Sequence, residues 1–281
     1  MKILVFGRTG QVATELHAQA KVVALGRAAA DLTDPASCAA AIQAHRPDAV
    51  INTAAYTAVD RAEEEEAQAT VINGEAPSAM ARDCAALGIP LVHISTDYVF
   101  SGTGNQPWGP EDPVGPISAY GRSKLAGEQG VAAAEGQWAV LRTSWVFSAH
   151  GNNFLKTMMR LSETRDALDI VDDQIGGPTP ADAIAAACLS MARAMVEDSA
   201  KGGMYHFSGA PDTSWKGFAE EIFARAGRRV AVNGIPTSAY PTPAQRPLNS
   251  RMDCTALKRD FGIGRPDWRA GVERALTALN S

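Results

Sequence analysis

A tyrosine and a lysine four residues apart, Tyr120 and Lys124, are the candidates for proton transfer in this sequence. They stand at the start of a predicted helix, so both side chains lie on one face about one turn apart. A tyrosine titrates near pKa ~10 in water and is a poor acid or base at neutral pH. A neighbouring cation favours the phenolate and brings this pKa closer to the working range. The spacing by itself is weak evidence, but the position of both residues after a fourth predicted strand and a long loop indicates an acid–base pair.

Two hydroxyl residues, Ser95 and Thr96, stand at the end of that fourth predicted strand. Open α/β sheets bind their ligands at the carboxyl ends of the strands. A hydroxyl there can hydrogen-bond a substrate carbonyl and stabilise the alkoxide that forms when a hydride arrives. The alternative is that either side chain only caps the strand end.

The segment GRTGQVA (residues 7–13) follows the first predicted strand and opens the first predicted helix. Gly7 and Gly10 permit a tight turn with positive φ and let the backbone approach a pyrophosphate, while the helix N-terminus supplies N–H groups. Ala13 stands where a third glycine is usual, and its small side chain still allows close packing. The segment predicts a dinucleotide-binding loop, although a purely structural turn can carry the same pattern.

Arg27 follows the second predicted strand, where NAD-binding folds commonly place a carboxylate for the ribose 2′-hydroxyl. A carboxylate would repel a 2′-phosphate, whereas an arginine can pair with it through charged hydrogen bonds. The residue therefore favours NADPH over NADH as the cofactor. The alternative is a solvated loop cation, which leaves NADH open.

The elements that must position these residues are βαβ units. Short β-branched runs alternate with alanine-rich stretches, which is typical of a parallel sheet covered on both faces. We predict strands at residues 2–6, 22–25, 49–53, 91–95 and 139–143. We predict helices at residues 12–19, 35–45, 60–87 and 118–134, the third of which can break near Asn73 and Gly74.

Beyond about residue 146 the alternation loosens, and further helices are predicted at residues 153–163, 181–195, 215–226 and 268–279. Trp215 and Trp268 begin two of them and are interpreted as core anchors. We expect an NAD(P)-binding domain over residues 1–145 and a smaller domain, mainly for substrate, over residues 146–281. A strand at residues 204–208 can return residues 179–208 to the first sheet. The proline-rich segment 101–117 is predicted to be an ordered surface loop.

Composition excludes several classes of protein. The chain has 281 residues, 46% of them hydrophobic and 20% charged, which suits a soluble globular protein. Its net charge of −5 argues against a general nucleic-acid binder. The four cysteines form no CxxC pair and are interpreted as reduced core thiols, and the five histidines show no metal-binding spacing. No signal-peptide pattern and no bilayer-length apolar run is present, so the cytoplasm is the expected location.

Longer motifs give these features a family resemblance. The chain resembles the dTDP-4-dehydrorhamnose reductases, of the extended short-chain dehydrogenase/reductase superfamily, over nearly its whole length. The motifs that carry the resemblance, besides the glycine-rich loop, Thr96, Tyr120 and Lys124, are NTAAYTAVD (52–60), STDYVF (95–100), RTSWVF (142–147), DQIGGPT (173–179) and RPLNS (246–250).

The resemblance implies an α/β fold with a Rossmann-type doubly wound parallel sheet and a smaller C-terminal α/β substrate domain. It implies NADPH-dependent reduction of the C4 ketone of dTDP-4-dehydro-β-L-rhamnose to dTDP-β-L-rhamnose. Tyr120 would donate the proton, Lys124 would lower the pKa of Tyr120 and hold the nicotinamide ribose, and Thr96 would orient the carbonyl.

Further site residues follow from the resemblance by position. Those expected at the cofactor are Gly7, Thr9, Gly10, Gln11 and Val12 in the loop, Arg27, Asp31 and Leu32 near the adenosine, and Ala54, Ala55 and Tyr56 after the third strand, with Tyr120 and Lys124. Those expected at the substrate are Thr96, Asp97, Trp145, Arg246 and Asn249.

Three places depart from the family pattern, namely Ser101 in place of a frequent Asp, Ala13 in place of Gly, and Gly26-Arg27 in place of the acidic form seen in some members. Some members are associated with Mg²⁺ at a dimer contact, where Glu15 could take part, but hydride transfer needs no metal. A homodimer is one assembly that the resemblance allows.

Other functions stay open at this point. A nucleotide-sugar dehydratase would carry two acids after the threonine, but here the pair is Asp97-Tyr98. Another nucleotide-sugar 4-ketoreductase could use the same residues. A non-catalytic NADP-binding regulatory subunit of this family would keep the fold without turnover.

Overall fold

The computed structural model describes residues 1–280. Its strands, numbered along the chain, are β1 (Ile3–Phe6), β2 (Val23–Leu25), β3 (Ala49–Asn52), β4 (Leu91–Thr96), β5 (Trp138–Thr143), β6 (Val146–Phe147), β7 (Ala167–Val171), β8 (Ile175–Gly176), β9 (Thr179–Pro180), β10 (Gly203–His206), β11 (Thr213–Ser214), β12 (Ala231–Ile235) and β13 (Asn249–Ser250). Its helices are α1 (Gln11–Gln19), α2 (Pro35–His45), α3 (Glu66–Thr70), α4 (Ala76–Leu87), α5 (Ala119–Ala132), α6 (Phe154–Leu161), α7 (Ala181–Glu197), α8 (Trp215–Arg225), α9 (Thr255–Phe261) and α10 (Trp268–Leu279).

The central sheet has six parallel strands in the order β10-β5-β4-β3-β1-β2. The chain runs from β1 outward to β2 and then returns to place β3 on the other side of β1. In open α/β sheets, ligands bind beyond the carboxyl ends of the strands at such a reversal. The predicted Rossmann-type doubly wound fold is confirmed, and the reversal lies where the glycine-rich loop leaves β1.

Both faces of the sheet are covered, because alternate residues of each buried strand point to opposite sides. In β1, Ile3 and Val5 pack on the side of α1 and α7, whereas Leu4 and Phe6 pack on the side of α2 and α4. The predicted strands of the first half are therefore confirmed to within about two residues, the usual scatter of element ends.

Residues beyond 146 contribute to this sheet as well. Helix α7 packs beside α1, and β10 pairs in parallel with β5 at the sheet edge. The division into an NAD(P)-binding domain at residues 1–145 and a substrate domain at 146–281 stays a prediction.

A separate core lies between α6, α8 and α10, with a parallel pair of strands, β7 and β12, beside α8. Trp268 is buried there, and its indole nitrogen donates to the Pro211 carbonyl at 2.7 Å. Its interpretation as a core anchor is confirmed. Strands β7 and β12 were not predicted, because both are partly exposed and carry no continuous apolar run.

The predicted helix at residues 60–87 is broken near Asn73 and Gly74, as one interpretation of the sequence allowed. A π-helical stretch at Val71–Glu75 separates α3 from α4. The Asn73 amide is buried there; it accepts from the Tyr56 N–H at 2.8 Å and donates to the Ser123 hydroxyl at 2.9 Å. The irregular turn thus joins α5 to the loop after β3.

The four cysteines are buried and unpaired by disulfides, which confirms their interpretation as core thiols. Across residues 1–280, no helix combines the length and the apolar character needed to cross a bilayer.

A buried ion pair holds α5 against β5. Glu128 accepts two hydrogen bonds from the Arg142 guanidinium, at 2.9 and 2.7 Å, and the same guanidinium donates to the Pro110 carbonyl at 3.0 Å. The loop at residues 101–117 is therefore fixed to the sheet through this pair.

Glu128→Gln is expected to lower the free energy of unfolding by about 3–5 kcal/mol, because it leaves the Arg142 cation buried without its partner. The matched control is Glu66→Gln, which breaks an ion pair with Arg122 in which 41% of the Glu66 side chain is exposed, against 2% for Glu128. That change should cost less than about 1 kcal/mol. Urea unfolding measures both, and equal losses would contradict this account of the pair.

Candidate active site

A cavity of about 840 Å³ opens at the carboxyl edge of the central sheet, over the point where the strand order reverses. The glycine-rich loop forms one wall, with the predicted residues Gly7, Thr9, Gly10, Gln11 and Val12. Ala54 and Ala55, which follow β3, lie beside it. The structure thus brings these predicted cofactor residues together.

The loop can hold an anion for two reasons. Gly7 has φ +111°, and a Cβ there would lie 2.5 Å from the Thr53 hydroxyl, so only glycine fits the turn. Helix α1 begins at Gln11 with no side-chain cap at Gly10 and no acidic residue in its first turn, so its N–H groups remain available to a phosphate. The Gln11 side chain instead bonds Ser148 and Asn153, each at 2.9 Å.

Arg27, Asp31 and Leu32 line the end of the cavity beyond β2. Arg27 is 76% exposed and forms only a loose ion pair with Asp31, at 3.7 Å. Arg8 also lines this end, and its side chain passes within 3.7 Å of the position of a Cβ on Gly26. Arg8 was missed in the sequence, although its place inside the glycine-rich loop was a usable signal. Two cations therefore flank this end of the cavity.

Thr96, Tyr120 and Lys124 line the same cavity. The Thr96 hydroxyl donates to Asp97 Oδ1 at 3.1 Å and accepts the Tyr98 N–H at 3.2 Å, so it also caps the short 3₁₀ turn Asp97–Val99. Burial raises the pKa of the Tyr120 hydroxyl, whereas its hydrogen bond with Thr96 lowers it by a smaller amount. Tyr120 is therefore a neutral phenol near pH 7 and can act as an acid.

Lys124 is buried between α5 and β4. Its Nζ donates to the Ile94 carbonyl at 2.7 Å and lies 3.3 Å from His93 Nε2. Burial lowers the pKa of Lys124 to about 8, with the nearby Glu128 opposing the shift. The expectation that Lys124 lowers the pKa of Tyr120 stays a prediction.

Three buried polar atoms on the cavity wall, Ser95 Oγ, Asp97 Oδ2 and Thr143 Oγ1, have no hydrogen-bond partner among residues 1–280. Buried polar groups are normally paired, so three unpaired atoms in residues that line one cavity make this wall a candidate ligand site. Burial also raises the pKa of Asp97 to about 6, although the Ser250 and Thr96 hydroxyls lower this pKa and so oppose the shift.

Trp145 lines the cavity with an unusual backbone angle, φ +49°. Its ring stacks on Trp215 at a centroid distance of 3.7 Å and an interplanar angle of 13°. The Trp215 indole nitrogen donates to Gln174 at 3.0 Å. A strained residue held by such packing is typical of ligand-binding sites. Trp215 packs against the core between α6, α8 and α10, which agrees with its interpretation as a core anchor, and it also supports the cavity wall through Trp145.

Three predicted site residues lie outside the cavity lining. The Tyr56 hydroxyl donates to Glu65 at 2.6 Å. Arg246 donates to Asp60 at 2.8 Å and also bonds the Tyr98 hydroxyl, so it lies one residue layer behind the wall.

The third, Asn249, is buried and uses its amide within the protein. It donates to the Gln106 carbonyl at 2.8 Å and accepts from Arg251 at 3.1 Å. Asn249 therefore holds the loop at residues 101–117, and the structure does not bring it to the cavity.

Within residues 1–280 no group of three or more His, Cys, Asp or Glu side chains is arranged to hold a metal ion. Glu15, considered for Mg²⁺, lies 3.2 Å from His150 Nε2.

The family model described as the RmlD substrate binding domain matches residues 1–281. Relatives named dTDP-4-dehydrorhamnose reductase include one from Burkholderia thailandensis, 47% identical over 100% of both chains, and one from Escherichia coli K12, 39% identical over 99% of this chain and 98% of that one. The chain belongs to the dTDP-4-dehydrorhamnose reductase family.

Solved structures of dTDP-4-dehydrorhamnose reductases have the same fold. The enzyme from Clostridium acetobutylicum has a TM-score of 0.93 at 34% identity, with 100% of both chains covered. The enzyme from Bacillus anthracis, in complex with NADP, has a TM-score of 0.92 at 33% identity, with 99% of both chains covered.

Gly7→Ala is expected to lower the free energy of unfolding by about 1–3 kcal/mol, because alanine is strained at this φ. Gly10→Ala is the matched control in the same loop, since Gly10 has φ −70° and open space around a Cβ. It should cost less than about 1 kcal/mol. Chemical denaturation of the two variants tests this, and a control that loses as much as Gly7→Ala would rule out backbone strain as the cause.

Proposed function

We propose that this chain catalyses the NADPH-dependent reduction of the C4 ketone of dTDP-4-dehydro-β-L-rhamnose to dTDP-β-L-rhamnose. The observation that carries the proposal is the convergence of Thr96, Tyr120 and Lys124 with the glycine-rich loop on one cavity. Membership of the reductase family supports the same reaction, and the Bacillus anthracis relative contains NADP.

The residues of the cavity fit a dinucleotide. The loop at Gly7 and the uncapped start of α1 would hold the pyrophosphate, and Lys124 would hold the nicotinamide ribose. Arg8 and Arg27 would pair with a 2′-phosphate, since both flank the end of the cavity beyond β2. When bound, NADPH supplies the hydride that reduces C4.

Tyr120 would give its hydroxyl proton to the oxygen of the C4 carbonyl as the C–H bond forms, leaving an alcohol and a phenolate. Its raised pKa keeps the proton in place until negative charge develops on the substrate oxygen. Thr96 would orient the carbonyl by a hydrogen bond, for which its hydroxyl turns from Asp97 Oδ1 to the substrate oxygen. Lys124 would stabilise the phenolate through its charge, since about half or more of it is protonated below its pKa of about 8.

The sugar would lie between the Trp145 ring and the group formed by Thr96, Tyr120 and Lys124. The unpaired polar atoms of Ser95, Asp97 and Thr143 are suited to sugar hydroxyls or the nicotinamide amide. Arg246 is the candidate cation for the diphosphate, although Asp60 now holds it. Asn249 would act by holding the neighbouring loop and not by direct contact.

The other functions are less well supported. A dehydratase needs a second acid after the threonine, and Tyr98 stands there with its hydroxyl bonded to Arg246 and its ring edge-on to Tyr120 at 5.5 Å. A regulatory subunit would not require a complete proton-transfer set beside the loop. We also propose a cytoplasmic location and a homodimer, and the proposed chemistry needs no Mg²⁺.

Tyr120→Phe is expected to lower kcat by about 100-fold or more while leaving NADPH affinity nearly unchanged, because it removes the general acid but keeps the ring. The assay follows NADPH absorbance with the ketosugar nucleotide generated in situ. Tyr205→Phe is the control, since that hydroxyl donates to the Gly202 carbonyl at 2.9 Å, away from the cavity. If wild type binds NADPH but turns over no ketosugar, the regulatory-subunit function gains support.

Arg27→Glu is expected to raise the KM for NADPH by about 10-fold or more while changing the KM for NADH little, because a carboxylate repels a 2′-phosphate. Arg229→Glu reproduces the charge change at an exposed position outside the cavity and serves as the control. Steady-state kinetics with each cofactor measures the ratio. Equal effects on both cofactors would refute a role for Arg27 in recognising the 2′-phosphate.

A further inference from the structure

Two buried polar side chains that the proposed reaction does not use stand behind Lys124. Asn52 ends β3 and His93 lies opposite it in β4, on the sheet face covered by α5. Asn52 is 1% exposed, His93 is 0% and Lys124 is 2%. A polar row of this kind, removed from water, requires its hydrogen bonds to be matched donor to acceptor.

The hydrogen bonds fix the orientation of the Asn52 amide. Its Oδ1 accepts the Ala54 N–H at 3.1 Å, and its Nδ2 lies 3.1 Å from His93 Nδ1. An amide nitrogen can only donate, so His93 Nδ1 must accept. A neutral imidazole with an accepting Nδ1 carries its proton on Nε2.

That proton points toward Lys124, because His93 Nε2 lies 3.3 Å from Nζ. An ammonium group has three donors and no acceptor, so an Nε2–H facing it forms no hydrogen bond. A neutral amine, in contrast, can accept from Nε2–H while it still donates to the Ile94 carbonyl at 2.7 Å. The arrangement therefore matches the neutral amine better than the ammonium.

We propose that His93, held by Asn52 in the tautomer protonated on Nε2, is a positioning residue that lowers the proton affinity of Lys124. The inference deepens the proposed function, since it rests on Lys124 acting at the cofactor and beside Tyr120. With His93 in this tautomer, Lys124 is present both as the ammonium and as the neutral amine near neutral pH. Activity falls as the ammonium is lost at higher pH.

The other groups around Lys124 are consistent with this assignment. Burial and the Lys124 charge both lower the pKa of His93 well below its usual range, so the ring is neutral. Glu128, one turn along α5, favours the ammonium, but its carboxylate is paired with Arg142 from β5.

Asp97 and Tyr120 line the same cavity as Lys124, and the neutral Asn73 of the π-helical stretch bonds Ser123, the residue before Lys124. His93 is thus the one ring nitrogen donor facing Nζ within the described chain.

The tautomer is tested directly by long-range ¹H–¹⁵N correlation NMR on protein labelled at histidine. The His93 signals are assigned by their loss in His93→Gln. We expect a neutral ring with Nε2 protonated from about pH 6 to 9, across the ordinary histidine range. A ring protonated on Nδ1, or an imidazolium, would overturn the proposal. Since no turnover is needed, this readout stands even if the proposed function fails.

The effect on Lys124 is tested with His93→Gln in the reductase assay. Gln places a carbonyl oxygen that can accept from the ammonium where Nε2–H stood, so the alkaline limb of kcat/KM should move up by at least about one pH unit. His17→Gln, at an exposed histidine, should leave the limb unchanged. An unmoved limb in His93→Gln would mean that Nε2 already accepts in wild type, which contradicts the proposal.

Asn52→Asp gives a second variant if His93→Gln does not fold. A carboxylate accepts from both the Ala54 N–H and His93 Nδ1, so the ring proton should move to Nδ1 in the NMR spectrum. The alkaline limb, or the pH dependence of NADPH binding measured by fluorescence, should then shift upward. A reversed tautomer with an unchanged pH dependence would show that His93 does not control Lys124.

Discussion

The close approach of α5 to the carboxyl edge of the sheet is the constraint on which the site depends. A Cβ on Gly121 would lie 2.3 Å from the Tyr98 carbonyl, and one on Gly127 would lie 2.1 Å from the Asn73 carbonyl. Only glycine permits helix and neighbouring backbone to come this close. The two glycines bracket the turn that carries Lys124, so they set how deep its side chain reaches. A helix one side-chain layer farther out would leave Tyr120 and Lys124 short of β4.

That depth removes the acid–base groups from water, and desolvation then dominates their titration. It raises the pKa of Tyr120 and of Asp97 and lowers that of Lys124, each toward the neutral form. A phenol with a raised pKa keeps its proton until a stronger base develops beside it. A lysine whose pKa is near neutral pH can then be protonated and stabilise the phenolate. Burial of an unpaired charge is costly. The nearby buried charges of Glu128 and Arg142 are accordingly paired by two hydrogen bonds.

The sequence pattern predicted those elements and site residues that depend on residues nearby in the chain. The six sheet strands, the glycine-rich loop and the pair Tyr120 and Lys124 follow from periodicity and spacing along the chain. The β7 and β12 pair could not be predicted, because its strands are partly exposed and pair across a long stretch of chain, with Asp169 and Asn233 64 positions apart.

The same limit applies to the site. The contact between His93 and Asn52 could not be predicted, since nothing in the sequence places them in register on neighbouring strands. Asn249 was assigned to substrate from its position in a motif, but its amide serves a loop more than a hundred residues away in sequence, through Gln106. The roles of the predicted site residues stay predictions, although most of them share one cavity.

Hydrogen bonds connect the first and second halves of the chain on both sides of this cavity, and these two contacts limit which ligands the cavity can bind. On the side of α1, Gln11 binds the segment at residues 148–153 through Ser148 and Asn153. On the side of β4, Asp60 accepts from Arg246 and from the Ala244 N–H. The first contact uses neutral hydrogen bonds among half-buried groups, whereas the second is an ion pair whose carboxylate is 43% exposed. The Arg246 side chain is only 19% exposed, so Asp60 keeps this part-buried guanidinium paired. In the proposed function an anionic ligand would compete with Asp60 for Arg246, while the hydrogen bonds of Gln11 hold the segment at residues 148–153 on the cofactor side.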